Sequence, residues 1–376
     1  MKKFLKMMGL VLLITLGLMG LAVGIFMNVA PQMGGKATGA RLQRIQNSPN
    51  FKDGTFRNTT ETLMDMSVAK MARIGWLILR GVKGSEPDEV IKTVPFDAGR
   101  LVRTGSADEV AVSWFGHSSL LIRVGGKTIL TDPVFGERAS AVSFLGPKRF
   151  RYDRYMDVAG LPPVDAVIFS HDHYDHLDYP TVLGLKGRVK RFFVPLGVGA
   201  HLEAWGIPAG QITELDWWET TQLDELTLVC TPARHFSGRG FSRDATLWSS
   251  WVLLGGGKRV FYGADSGYSP NFKAIGDKYG PFDLAMLENG AYNEAWHSIH
   301  SMPEETAQAG KDVRAAVVLP IHWGKFNLAL HEWRDPIRRL TKKAAELGLP
   351  LTTPQIGEVV RLDEPLPRAA WWDQYP

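Results

Sequence analysis

The chain has 376 residues, 45% of them apolar, and a formal charge of +4, which allows one large layered domain or two ordinary ones with a sizeable core. Lys2, Lys3 and Lys6 carry three of those charges, so the body after them is near neutral, which argues against a nucleic-acid surface. Cys230 is the only cysteine, which excludes an internal disulfide and a cysteine-based zinc site; its apolar neighbours mark it as a small core residue.

Residues 7–30 carry no charge and are mostly Leu, Val, Ile, Met and Gly, long enough to span a bilayer as a helix. The run exceeds the ~7 to 15 residues of a signal-peptide core, and Pro31 spoils cleavage after Ala30. An uncleaved anchor over residues 1–33 is therefore favoured over a signal peptide. Lys2, Lys3 and Lys6 favour a cytoplasmic N-terminus, nearly balanced by Lys36, Arg41 and Arg44; the expectation is a catalytic body on the extracytoplasmic side. Residues 34–104 read as a linker to Asn58, then an amphipathic helix over 60–80 with Met64, Val68, Met71, Gly75 and Ile78 at helical spacing. That helix packs on the domain or lies on the membrane.

From Glu109 short strands take over: 109–115, 120–124, a Gly125-Gly126 turn and 127–131. Strands at 166–169, 191–194 and 227–231 follow, with a helix near 200–205. A second hairpin, 247–254 and 259–262, turns about Gly255-Gly256-Gly257. The strand 282–287, a helix from Glu304, the strand 316–319, a helix 335–347 and a strand 358–362 complete the order. Hairpins mixed with helical crossovers predict an α+β fold, a four-layer αββα sandwich over 105–364, followed by a tail, 365–376.

The apolar run Ala166-Val167-Ile168-Phe169 and Ser170 lead into His171, Asp172, His173, Tyr174, Asp175 and His176. Imidazoles and carboxylates at this density suit a divalent metal: His171 and His173 alternate onto one side, and Asp175 and His176 lie past the bend. His235, Asp265 and His322 also follow apolar strands. The expected set is His171, His173 and His235 on a first ion, and Asp175, His176 and His322 on a second. Asp265 bridges them, with a hydroxide between the ions as nucleophile. His201 and His331 read as solvated, His297 is unassigned, and His117 and His300 are placed to approach the cleft or to serve hydrogen bonding. Trp217-Trp218 reads as core packing.

The His-x-His-x-Asp-His loop with the later His235, Asp265 and His322 resembles the metallo-β-lactamase fold superfamily. Asp132-Pro133-Val134-Phe135, Leu145 to Arg151, Leu215 to Glu219, Leu247 to Trp251, Gly280 to Ala285 and Ile321-His322-Trp323-Gly324 resemble the N-acylphosphatidylethanolamine-hydrolysing phospholipase D family over roughly residues 105–362. The resemblance implies an enzyme with two zinc ions that cleaves N-acylated ethanolamine phospholipids, at a membrane, into phosphatidic acid and N-acylethanolamine. It implies that Tyr174 and His300 contact the phospholipid; His117 is a further substrate-contact candidate, and Asp265 and His300 are the catalytic ones. The chain departs from the animal enzyme in its N-terminal run and at Phe236-Ser237-Gly238-Arg239. A lactonase or esterase with the same two-metal site, or an envelope protein with a structural metal, are the alternative readings. A homodimer is compatible with the sequence.

Overall fold

The computed structural model describes residues 2–63, 67–103, 108–240 and 242–375. Met64 of the expected helix and the boundary at 104/105 lie outside the described residues, as do the side chains of Val68 and Ile78. Helix α1 (Lys2–Val29) has 28 residues, roughly 42 Å at 1.5 Å per residue, against the ~30 Å of a bilayer core. It is long and apolar enough to cross a membrane. The expected linker is instead docked. Helix α2 (Gly39–Gln46) buries Ile45 and ties Arg41 to Glu203 and Glu214, each at 2.6 Å. The ribbon of β1 (Phe51–Lys52) and β2 (Thr55–Phe56) buries Phe56. Helix α3 (Val68–Arg80) begins later than its apolar spacing suggested, and exposes Met71 and Trp76. A single turn, α4 (Ala98–Leu101), is capped by the Asp97 carboxylate accepting from the Arg100 amide.

The first sheet takes β3 (Ala111–Trp114), β4 (Leu120–Val124), β5 (Lys127–Thr131), β6 (Ala166–Ile168), β7 (Arg191–Pro195) and β8 (Ile212–Leu215). The second takes β9 (Thr220–Leu223), β10 (Leu226–Thr231), β11 (Ser250–Gly255), β12 (Lys258–Tyr262), β13 (Leu284–Glu288) and β14 (Val318–Ile321). The last strand, β15 (Val359–Arg361), returns to the first sheet, giving orders β15-β3-β4-β5-β6-β7-β8 and β14-β13-β12-β11-β10-β9. Glycine carries both tight turns, at Gly125-Gly126 (φ 54° and 72°) and Gly256-Gly257 (φ 59° and 68°), where a Cβ would strain the chain.

Alternation along the strands sorts the layers. Val112, Trp114, Leu120, Ile122, Ile129, Ala166, Ile168 and Phe193 meet the second sheet. Ala111, Leu121, Leu130, Val167, Phe192 and Val194 face the other way, onto α5 (Tyr179–Leu185) and α6 (Gly199–Ala204). Helices α7 (Asn271–Tyr279), α8 (Pro303–Asp312) and α9 (Asp335–Glu346) cover the second sheet. Strands buried on both faces explain the continuous apolar runs, and the result is the expected α+β sandwich. Within the expected tail, Trp371, Trp372 and Tyr375 are buried, and Trp371 stacks on Trp323 at 5.4 Å. Cys230 is fully buried. Of the tryptophan pair, Trp217 is core, while Trp218 is partly exposed and stacks on Tyr279.

Candidate metal centre

In both sheets the parallel strands point their carboxyl ends to one rim, where loops gather. Asp132 follows β5, the histidine loop follows β6, Asp265 follows β12, Glu288 ends β13 and His322 follows β14; β10 adds His235 and the β3–β4 turn adds His117. Backbone strain concentrates there: Asp132, His117, Ala264, Ala291 and His322 have φ of 36°, 56°, 49°, 57° and 64°. Non-glycine residues rarely adopt this region, and such outliers cluster where a structure fixes side chains for chemistry.

His171, His173 and His235 come together: His173 Nδ1 lies 2.9 Å from His171 Nε2 and 3.3 Å from His235 Nε2. His235 Nδ1 donates to the Ile299 carbonyl at 2.9 Å, and His171 Nδ1 is 2.8 Å from Ser170 Oγ. With its proton on Nδ1, His235 turns a bare Nε2 lone pair into the cluster. Burial holds His171, His173 and His235 below the usual imidazole range.

Asp175, His176 and His322 form a second group with His117. His176 Nδ1 donates to Asp132 at 2.7 Å, leaving Nε2 facing Asp265 at 3.1 Å and Asp175 at 3.5 Å. A lone pair aimed at two carboxylates is repulsive unless positive charge lies among them. Burial opposes protonation of His176, yet Asp265, Asp175 and Asp132 hold it well above the imidazole range. Burial alone would raise Asp265; His176 and His322 bring it well below the usual carboxylate range. Asp265 joins the groups, 2.9 Å from His322 Nδ1 and 3.9 and 3.8 Å from His171 and His235 Nε2.

His176 Nε2 and His322 Nε2 are buried without a hydrogen-bond partner. Buried polar atoms of this kind are normally satisfied, so these converging ligand atoms fit divalent ions. The donor set of imidazoles and carboxylates suits zinc among others.

His300 lies within the group of Asp265, Glu288 and His322, with Nδ1 2.9 Å from Glu288 Oε2. Burial lowers His300 to about 3, so its imidazole is neutral at ordinary pH. His117 is buried: Nε2 lies 2.8 Å from Asp175 and its ring 4.0 Å from that of His322. The Tyr174 hydroxyl turns away from the ligands and donates to the Arg239 carbonyl at 2.6 Å.

Three acids escaped the sequence reading. Asp132 orients His176; Glu288 holds His300 and accepts from the Ser301 amide at 2.5 Å. Asp172 accepts from Gly238 N at 2.7 Å and Thr246 Oγ at 3.0 Å, bracing the loop between two ligands. Asp132 and Glu288 stand at strand ends, the signal that singled out Asp265. His201 is not solvated: it is buried, with Nε2 3.3 Å from Asp172. His331 is half-buried and stacked on Tyr292 at 4.4 Å, while His297 is exposed.

Fold and site define a metal-dependent hydrolase. The Beta-lactamase superfamily domain matches residues 127–323, more than half of the chain, and the chain belongs to the metallo-β-lactamase superfamily. N-acyl-phosphatidylethanolamine-hydrolyzing phospholipase D 1 of Caenorhabditis elegans is 37% identical over 266 residues, 66% of this chain and 74% of that protein. An uncharacterized Mycobacterium tuberculosis protein is 43% identical over 332 residues, 87% of this chain and 88% of its own. Among solved structures, Igni18, a metallo hydrolase from Ignicoccus hospitalis, shares the fold with a TM-score of 0.51 and 22% identity, over 67% of this chain and 98% of that one.

Proposed function

We propose that the protein is a zinc-dependent phosphodiesterase of the phospholipase D type, hydrolysing N-acylated ethanolamine phospholipids to N-acylethanolamine and phosphatidic acid. The observation that carries the reading is Asp265, whose carboxylate stands between His171 and His235 on one side and His176 and His322 on the other. His171, His173 and His235 would hold one zinc ion, and Asp175, His176 and His322 the other, with Asp265 shared. Bound there, two ions supply positive charge toward phosphodiester oxygens and acidify water. The 37% identity with the Caenorhabditis elegans phospholipase D supports the choice of phosphorus over carbonyl carbon.

The residues of the chain do the rest. Asp132 and His117 fix His176 and Asp175, so the ligands need no reorganisation when substrate arrives. His300, neutral and held by Glu288, stands beside Asp265, where it orients the head group by hydrogen bonding. Tyr174, half-buried on the outer side of the ligand loop, contacts lipid nearer the mouth. Helix α1 supports a membrane-anchored enzyme, and Lys2, Lys3 and Lys6 ahead of it favour a catalytic body on the extracytoplasmic side.

Purified, zinc-loaded full-length protein should release N-acylethanolamine from N-acylated phospholipid, read by mass spectrometry, and Asp265→Asn should abolish the release. Turnover of lactones or simple esters with none of the phospholipid would overturn the assignment.

A further inference from the structure

A membrane helix joined to its domain by a free tether leaves the domain able to tumble. Here the join is fastened. The last turns of α1 are partly covered at Phe26 and Met27, and a Cβ on Gly240 would come within 2.9 Å of Met27 Cε. Arg239, itself buried, donates through Nε and Nη2 to the Gln32 carbonyl at 2.9 and 2.8 Å. Its Nη1 reaches the carbonyls of Asp172 and Leu177 at 2.6 and 2.8 Å, so one guanidinium joins the anchor exit to the ligand loop. Trp205 Nε1 donates to the Pro31 carbonyl at 2.6 Å, and Tyr174 Oη reaches Met33 Sδ at 3.3 Å.

Beside this join is a cavity of about 120 Å³, walled by Gln32, Tyr174 and Arg239 on one side and Ser140 to Ser143 on the other. The second wall belongs to a loop closed at its base: Ala139 N donates to the Pro147 carbonyl at 3.0 Å and Arg138 Nη1 to the Gly146 carbonyl at 2.6 Å. Its tip is Phe144-Leu145, 79% and 67% exposed; outside α1, Phe144 is the most exposed large apolar side chain among the described residues. Two adjacent apolar side chains held outward on a closed loop are costly in water and favourable in a bilayer.

Given that α1 spans the membrane, its end at Val29 lies at the bilayer surface, and a loop across one small cavity from Gln32 lies at the same level. We propose that this face of the domain is seated on the lipid bilayer, with Phe144-Leu145 inserted beside α1 as a second membrane contact. The ligand loop, joined to the same exit through Arg239, is thereby held at a fixed height over the lipid surface. This rests on the reading of α1 as an anchor.

The test uses the full chain in phosphatidylethanolamine and phosphatidylglycerol nanodiscs containing spin-labelled lipid. Cys230 is fully buried and stays unlabelled, so single cysteines at Phe144→Cys, Leu145→Cys, Leu18→Cys and Glu225→Cys can each carry an environment-sensitive dye. Glu225 lies in the β9–β10 turn, at the end of β10 away from His235. Dyes at 18, 144 and 145 should be blue-shifted and quenched by the spin label, and the dye at 225 should not. Quenching at 18 with water-like emission at both 144 and 145 would overturn the loop insertion and leave the anchor standing. No quenching at 18 would overturn both.

Discussion

Replacing Asp132 by Asn tests whether the centre is built from behind its ligands. The carboxylate is fully buried. Its Oδ2 accepts from Ser170 Oγ at 2.5 Å, His176 Nδ1 at 2.7 Å and Tyr262 Oη at 2.5 Å, and its Oδ1 accepts from Ser170 N at 2.8 Å. An amide can keep its oxygen in the Oδ2 position, but its NH2 then opposes the Ser170 N–H, donor against donor. Weakening the three charge-assisted bonds at Oδ2 to neutral ones costs about 1 kcal/mol each, and the opposed donors add about 1 to 3 kcal/mol. A loss near 5 kcal/mol, or roughly 10 °C in a domain of this size, is expected in metal-free protein. Release of the His176 tautomer should also weaken metal affinity about 10- to 100-fold. Chelator competition with elemental analysis reads the second effect and scanning calorimetry the first. Unchanged melting and unchanged metal affinity together would refute the reasoning.

Asp265→Asn or His322→Ala should lower turnover by orders of magnitude while circular dichroism stays native; wild-type activity in protein of known metal content would remove both from the centre. Chelation should lower the melting temperature, since a ligand at a thousand times its dissociation constant contributes about 4 kcal/mol, and Zn2+ should restore it. Gly290 supplies no ligand atom, yet in Gly290→Ala the Cβ would lie 2.1 Å from the backbone carbonyl of His322 and displace that ligand, so reduced metal content is expected. Burial, and then Arg149, brings Lys325 from 10.5 down to about 7. Between those values the unfolded chain binds the proton and the folded chain does not, so this group makes stability rise with pH, by about 1.4 kcal/mol per unit, with no further change below pH 7. Denaturant titrations of wild type and Lys325→Met should converge toward high pH; parallel curves would count against it.

The histidine loop was legible because ligand density and a buried strand coincide within a few residues, and His235, Asp265 and His322 because each follows an apolar run. Asp132 stands in the same position at the end of β5, but its partners His176, Ser170 and Tyr262 come from other strands, and no local pattern names them. His201 was misread because short α6 shows too little periodicity to reveal which face is covered. Helix α2 looked like linker because its sole deeply buried side chain is Ile45, and what fastens it is charge supplied by Glu203 and Glu214 far along the chain. Likewise Trp371 packs against Trp323 and Trp333, a partnership the local sequence does not display.

Strand β15 pairs Val359 with Ser113 of β3, so the first sheet acquires its edge only from the far end of the domain. Loop closure across that separation is entropically slow. During synthesis, β3 waits for its edge partner until the far end of the domain has emerged. A holding chaperone would then matter for yield, and moving β15 ahead of β3 by circular permutation should shorten the wait.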